Sequence, residues 1–137
     1  SAKPNDHGLI RSDFPGGWAG DTENAFTGKN LSASQQSIQS FLKKLLNWRK
    51  TKTVIHQGKT LHFAPQNGTY VYFRYNDKET VMVVMNKNNT TSSIDTKRFS
   101  EIIKGRTQAV NVITGEKLSI DKQITIQSKS AQIFEIQ

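Results

Sequence analysis

The stretch Thr60-Leu61-His62-Phe63-Ala64-Pro65-Gln66-Asn67-Gly68-Thr69-Tyr70-Val71-Tyr72-Phe73-Arg74-Tyr75 decides how the chain is read. Asn67-Gly68 separates two runs, Thr60–Ala64 and Thr69–Tyr75, that are rich in β-branched and aromatic residues. Both turn residues tolerate the positive φ that a two-residue hairpin needs, so the stretch reads as two antiparallel strands. Tyr70 and Tyr72 alternate with Val71 and Phe73, as residues of a core strand do.

C-terminal to this hairpin the period of two continues. Thr80–Asn86, Ser92–Thr96, Thr107–Ile113, Lys117–Ile120, Gln123–Gln127 and Ala131–Ile136 are further strand-like runs. Asn76-Asp77, Lys87-Asn88-Asn89 and Thr114-Gly115 punctuate them. Val81-Met82-Val83-Val84-Met85 is apolar on both faces, which places it centrally in a sheet, whereas Ile124-Thr125-Ile126 alternates and should have one wet side. Phe99–Lys104 reads as a short helical turn. On the other flank, Thr53–His56 reads as one more strand, ended by Gln57-Gly58. Short strands at this regular spacing mean an antiparallel sandwich or barrel.

Further toward the N-terminus, residues 32–51 carry the one clear helix. Ser32 followed by Gln35 makes a capping box, and Ile38, Phe41, Leu42, Leu45 and Leu46 recur at helical spacing with Trp48 at the trailing edge. Lys43, Lys44, Arg49 and Lys50 lie in the C-terminal half, where cations offset the helix dipole. Such a stripe needs a partner. It should be buried on the sandwich or in a homodimer. Residues 1–31 are turn-forming and aperiodic, which indicates a long structured loop.

Composition narrows the functional classes. The 137 residues include no cysteine, which rules out disulfides, thiolate catalysis and cysteine-bound zinc and leaves cytoplasm, periplasm and cell surface equally open. No run of 18 apolar residues occurs, so no membrane span is expected. The net charge of +8 is spread over small clusters, Lys43-Lys44 with Arg49-Lys50 and Lys97-Arg98 with Lys104 and Arg106, and these read as solvated faces rather than a nucleic-acid surface. Eleven acidic residues are present, but Asp77, Glu79, Asp95, Glu116 and Asp121 fall in turns or at strand ends, as solvated residues do. His56 and His62, on neighbouring expected strands, could meet across a hairpin, yet no third metal ligand accompanies them. Neither a phosphate loop nor a nucleophile elbow occurs. No catalytic residue, cofactor or metal is therefore expected. The segment Asp6–Asp21 gathers His7, Arg11, Asp13, Phe14, Trp18 and Asp21 in a Gly/Pro-shaped loop. Aromatic faces stack on sugar rings and polar groups bind hydroxyls, although the residues alone favour Phe14 and Trp18 plugging the loop onto the helix.

The run His7-Gly8-Leu9-Ile10-Arg11-Ser12-Asp13-Phe14-Pro15-Gly16-Gly17-Trp18, with Gly20-Asp21 and Asn24-Ala25-Phe26, closely resembles a segment of neopullulanase- and cyclomaltodextrinase-like enzymes. These belong to the alpha-amylase family, glycoside hydrolase family 13, and the variant looks like the Bacteroidetes type. Phe41–Lys50 resembles the family's last barrel helix, and Tyr70–Arg74 with Val81–Asn86 the opening strands of its C-terminal sandwich. The resemblance implies a mainly β chain: an antiparallel Greek-key β-sandwich of the amylase C-terminal type, preceded by a loop and one α-helix from the end of a (β/α)8 barrel. Residues 1–52 would be the barrel remnant and 53–137 the sandwich.

The resemblance also implies what is missing. The family's Asp nucleophile, Glu acid/base and second Asp lie on barrel strands that would precede Ser1, so the chain is expected to be a truncated, non-catalytic piece of a parent that hydrolyses α-1,4 and in some members α-1,6 glucosidic bonds in starch, pullulan or cyclodextrins. Its partner would be that upstream barrel, and α-glucan through the parent, in the periplasm or cell envelope. His7, Arg11, Asp13 and Trp18 would then line the substrate wall at the barrel's C-terminal face. The rival reading is a starch-binding module acting through Tyr70, Tyr72, Tyr75 or Trp18.

Overall fold

The computed structural model describes residues 13–137, and the chain divides between Leu42 and Lys43 into two compact units. Helix α1 runs over Ala33–Lys50, beginning in the first unit and ending in the second. Its start is the expected capping box: the Ser32 amide donates to Gln35 Oε1 at 2.6 Å and the Gln35 amide to Ser32 Oγ at 3.2 Å. Arg49 and Lys50 occupy its last turn. None of its residues is buried among the described residues: Ile38, Phe41, Leu42 and Leu46 are exposed, and Leu45 and Trp48 are partly buried.

The next element corrects the expected strand at Thr53–His56. Residues Thr53–Gln57 form a short helix, α2. The β-branched run favours a strand locally, but Val54 is fully buried, and the Lys52 carbonyl accepts the amides of Ile55 at 3.1 Å and His56 at 3.4 Å. Tertiary packing overrides propensity here. Gly58 then lets the chain turn into the sheet. Its amide reaches the Val54 carbonyl at 3.1 Å, and a Cβ there would lie 2.2 Å from that oxygen and 2.8 Å from the carbonyl oxygen of Tyr75.

Eight strands follow: β1 (Lys59–Gln66), β2 (Thr69–Tyr75), β3 (Thr80–Asn86), β4 (Ser92–Asp95), β5 (Gln108–Asn111), β6 (Lys117–Ser119), β7 (Gln123–Ile126) and β8 (Ser130–Ile136). They make an antiparallel six-stranded sheet in the order β1-β2-β3-β8-β5-β6 and a two-stranded sheet, β4-β7. The β1–β2 turn is the Asn-Gly turn, with φ of 48° at Asn67 and 74° at Gly68. Pro65 falls where the β1–β2 register shifts, on an edge strand, the place where a residue without an N–H is tolerated. Strand β3 lies between β2 and β8, as its two-faced apolar pattern requires.

The two faces of the large sheet carry separate apolar clusters. On the inner face Phe73, Met82, Val84, Phe134 and Ile136 meet Ile94, Ile124 and Ile126 of the small sheet, which makes the sandwich. Helix α3 (Ser100–Ile103), entered through a 3-10 turn at Thr96–Phe99, plugs one side with Phe99, Ile102 and Ile103. Phe63, Phe73 and Phe99 pack ring to ring at 4.8 to 5.8 Å. Arg106 closes α3 by donating to the carbonyls of Ile102 at 2.7 Å and Ile103 at 2.8 Å, and burial lowers its pKa. Asn86, nearly fully buried, pins the two sheets: its Nδ2 donates to the carbonyls of Thr90 and Gln127, each at 3.0 Å. The outer face holds a smaller cluster, in which Trp48, Val54 and Ile55 cover Tyr72, Val81, Val83 and Ile133. No helix among the described residues is long and apolar enough to cross a membrane.

Candidate functional site

The loop singled out from the sequence is built around one carboxylate. Asp21 Oδ2 accepts the amides of Gly16 at 2.9 Å and Trp18 at 3.1 Å, which folds Gly16-Gly17-Trp18 into a tight turn. Gly16 has a φ of 89°, and a Cβ there would sit 2.6 Å from the side chain of Asn24. Asn24 braces the next turn, accepting the amides of Phe26 at 2.9 Å and Thr27 at 3.0 Å. The Ala25 amide donates to the Pro15 carbonyl at 2.9 Å, and Gln39 of α1 donates to the Ala25 carbonyl at 2.6 Å.

The scaffold is therefore polar and internal, and the aromatic rings are left outside it. Trp18 is 76% exposed, Phe14 62% and Phe26 76%, with the rings of Phe14 and Phe26 5.3 Å apart. The alternative in which Phe14 and Trp18 plug the loop onto the helix does not match this exposure. Of the four expected wall residues, Asp13 and Trp18 are both exposed. His7 and Arg11 lie outside the described residues. Phe26, which the sequence reading did not place in the loop's aromatic set, extends the aromatic surface, and Asp21, read there as a group facing sugar hydroxyls, serves as the loop's internal brace. The spacing Asp21-x-x-Asn24 just after a Gly-Gly pair is the signal that points to two consecutive side-chain-to-backbone turns.

A second cluster of ionisable groups lies at the end of α1. Lys52 Nζ stands 2.7 Å from Glu135 Oε1 and 3.2 Å from Glu79 Oε1, and the Trp48 indole N–H donates to Glu135 Oε1 as well. Glu79, expected to be a solvated turn residue, is thus paired. Burial alone would raise the Glu135 pKa, but the hydrogen bonds from Lys52 and Trp48 outweigh it and the net shift is downward. The hydrogen bond to Glu135 raises the Lys52 pKa, with burial opposing and Glu79 assisting.

Two carboxylates on one ammonium are not a glycosidase pair. The general acid of such a pair needs a raised pKa, and the space between the two carboxyls must hold a sugar rather than a lysine. This cluster is a clamp. The histidines do not meet either: His56, in α2, has its Nε2 3.0 Å from the Arg49 carbonyl of α1, whereas His62 is on β1 against Tyr70. The expected approach across a hairpin fails because Thr53–Gln57 is helical. Among the described residues no three of His, Asp and Glu gather as a metal site would require.

Residues 60–135 match the family model described as the cyclo-maltodextrinase C-terminal domain. Among solved structures, AmyP in complex with maltose is similar at a TM-score of 0.67 and 13% identity, covering 84% of this chain and 23% of that one. The alpha-amylase from Anoxybacillus gives 0.62 and 16%, covering 88% of this chain and 26% of that one. The trehalulose synthase MutB from Pseudomonas mesoacidophila MX-45 gives 0.60 and 19%, covering 83% and 21%. At these identities the likeness carries the fold, and the chain spans only about a quarter of the length of these proteins or less.

Proposed function

The chain belongs to the cyclo-maltodextrinase C-terminal domain family, as the C-terminal domain of an alpha-amylase-type enzyme, and from that premise we propose that it is the non-catalytic, barrel-stabilising end of an α-glucan-degrading glycoside hydrolase. In this reading residues 1–52 close the barrel and 53–137 form the sandwich. The acids that cleave the glucosidic bond belong to the preceding barrel. Its substrates are starch, pullulan or cyclodextrins.

The observation that carries this reading is the Trp48–Lys52–Glu79–Glu135 clamp. Side chains from the end of the last helix and from the linker after it are fastened to the outer face of the sheet. A sandwich with no role toward its neighbour has no need to be tied to that helix. Asp13 and Trp18 then form part of the substrate wall, to which the same reading assigns His7 and Arg11. The support is a braced loop that leaves Trp18 exposed. Deleting residues 53–137 from a polypeptide that includes the barrel should lower its melting temperature by several degrees and cut soluble yield. Unchanged stability would remove the stabilising role.

A second reading has one specific observation behind it. Tyr70 and Tyr72 lie on the outer face, only half-buried, with ring centroids 5.8 Å apart. Such a pair could stack on α-glucan. Calorimetric titration of the chain with maltoheptaose decides it: binding lost in Tyr70→Ala supports a module, and silence disposes of it.

A further inference from the structure

The two sheets of the sandwich are unequal, six strands against two. Where the smaller one runs out, a groove of about 570 Å³ opens, walled by β5, β6 and β8 of the large sheet and by β7 of the small one. That volume lies within the range of small-ligand clefts. Two amides stand here where the strand pattern calls for apolar side chains. Gln132 lies directly opposite the fully buried Val84, and Asn111 opposite Phe134, so both belong to the core-facing side of the sheet. Asn111 is only 9% exposed, and its side chain is fixed: Oδ1 accepts the amides of Ile113 at 2.9 Å and Thr114 at 3.1 Å. Its Nδ2 is left as a donor with no partner among the described residues, and the Gln132 amide is likewise unengaged there. No buried side-chain nitrogen or oxygen among the described residues lacks a partner, so these groups reach the groove rather than end in sealed core. A polar group on a core face costs stability unless something bonds it.

The rest of the lining has the same character. Thr125 and Gln127 add a hydroxyl and a third amide, and Leu118 and Phe134 supply apolar carbon. Of the charged lining residues, the acids Glu116 and Asp121 outnumber Lys122, in a chain whose net charge is +8. The groove is therefore a poor place for an anion. Neutral donors and acceptors around a small apolar patch suit an uncharged ligand dense in hydroxyl groups. We infer that the groove between β6 and β7 binds a short segment of neutral saccharide, with Asn111 Nδ2 and the Gln132 amide as its main hydrogen-bonding groups. That this saccharide is an α-glucan rests on the function proposed above.

The groove is separate from the Tyr70–Tyr72 pair, which lies on the other face of the large sheet. An extended peptide is the competing occupant, because β6 and β7 are both edge strands. They are only three and four residues long, which offers an added strand little pairing.

The test is an NMR titration of the 137-residue chain with maltoheptaose and, separately, with cellotetraose, read at the backbone amides. Maltoheptaose should shift the amides of Asn111, Ser119, Thr125 and Gln132. Gln132→Leu removes one amide and puts an apolar group on a core face, so the chain should fold while binding weakens roughly three- to tenfold, the worth of one hydrogen bond. Asn111→Asp keeps an oxygen for the amides of Ile113 and Thr114, removes only the donor, and should weaken binding to a similar extent. Melting temperatures show that each variant folds, and Tyr70→Ala should leave the groove shifts as they are. Silence with both sugars, shifts confined to the outer face, or unchanged affinity in both groove variants would overturn the inference. So would shifts at the same amides from a peptide of alternating Thr and Val with none from sugar, since that gives the groove to strand addition. Groove shifts from cellotetraose and none from maltoheptaose would uphold the saccharide groove and count against the α-glucan reading instead.

Discussion

Lys52 Nζ lies 2.7 Å from Glu135 Oε1, joining the two-residue linker between α1 and α2 to the last strand of the large sheet. The same oxygen takes the Trp48 indole N–H, so one carboxylate holds both the end of the helix and the residue that follows it. The pairing is half-exposed, with side-chain exposures of 22% for Lys52 and 30% for Glu135, which keeps its worth well below that of a buried ion pair. Removing the acceptor leaves the indole N–H and the ammonium without their partner. Glu135→Ala is expected to cost about 1–2 kcal/mol in urea unfolding. Lys52→Met, which keeps the packing stem and the Trp48 bond, should cost less.

The clamp should give stability a pH signature. The pKa of Glu135 is lower in the folded chain than its ordinary 4.5, because the bonds from Lys52 and Trp48 overcome the upward push of burial. A group of this kind contributes above its unfolded pKa, and the contribution is lost as pH falls through the folded value. Lys52 is raised above 10.5, chiefly by its bond to Glu135 against the effect of burial. Its contribution is present below that value and lost as pH rises through the higher folded one. Urea midpoints of the parent sequence and of Glu135→Gln should therefore differ by a constant amount near neutrality and converge below the carboxylate range. Curves that stay parallel into strong acid would contradict the assignment.

Gly68 has a φ of 74°, and an added Cβ would fall 2.1 Å from Asn88 Oδ1. Gly68→Ala meets both backbone strain and a clash, for an expected loss of about 1–3 kcal/mol. Combining it with Asn88→Ala should relieve the clash but not the strain, so the double variant should recover part of the loss. Equilibrium unfolding of the four chains measures the coupling.

Asn86 bonds the carbonyls of Thr90 and Gln127, where β3 leaves for the small sheet and β7 leaves for the large one. Asn86→Ala strands those oxygens and should destabilise the sandwich by about 2–3 kcal/mol. Phe73→Ala, at the centre of the inner cluster and fully buried, should cost about 3–5 kcal/mol.

Asp21→Ala should behave differently, because Asp21 braces only its own loop. Faster amide exchange at Gly16 and Trp18 is expected, with the unfolding midpoint of the sandwich unmoved. A global loss of stability would mean that the loop supports more than itself.

Legibility from the sequence follows how local each determinant is. The Asn67-Gly68 turn, the Ser32/Gln35 capping box and the central place of β3 rest on a few adjacent residues, and each is found as expected. Thr53–His56 reads as a strand yet folds as a helix, because that helix is fixed by the burial of Val54 against Val81 and Val83, which are distant in sequence. Glu79 looked solvated for the same reason, since its partner Lys52 is 27 positions away. The braced aromatic loop was half legible: the residue types were visible, whereas the division into bracing Asp21 and Asn24 and exposed Phe14, Trp18 and Phe26 depends on backbone geometry.

The most direct measurement is reducing-sugar release when the purified 137-residue chain is incubated with amylose. None is expected above a protein-free control, because Glu79 and Glu135, the carboxylates brought together at the end of α1, are held by Lys52. Steady release that disappears in Glu79→Gln or Glu135→Gln would place hydrolytic acids within these residues and contradict the account.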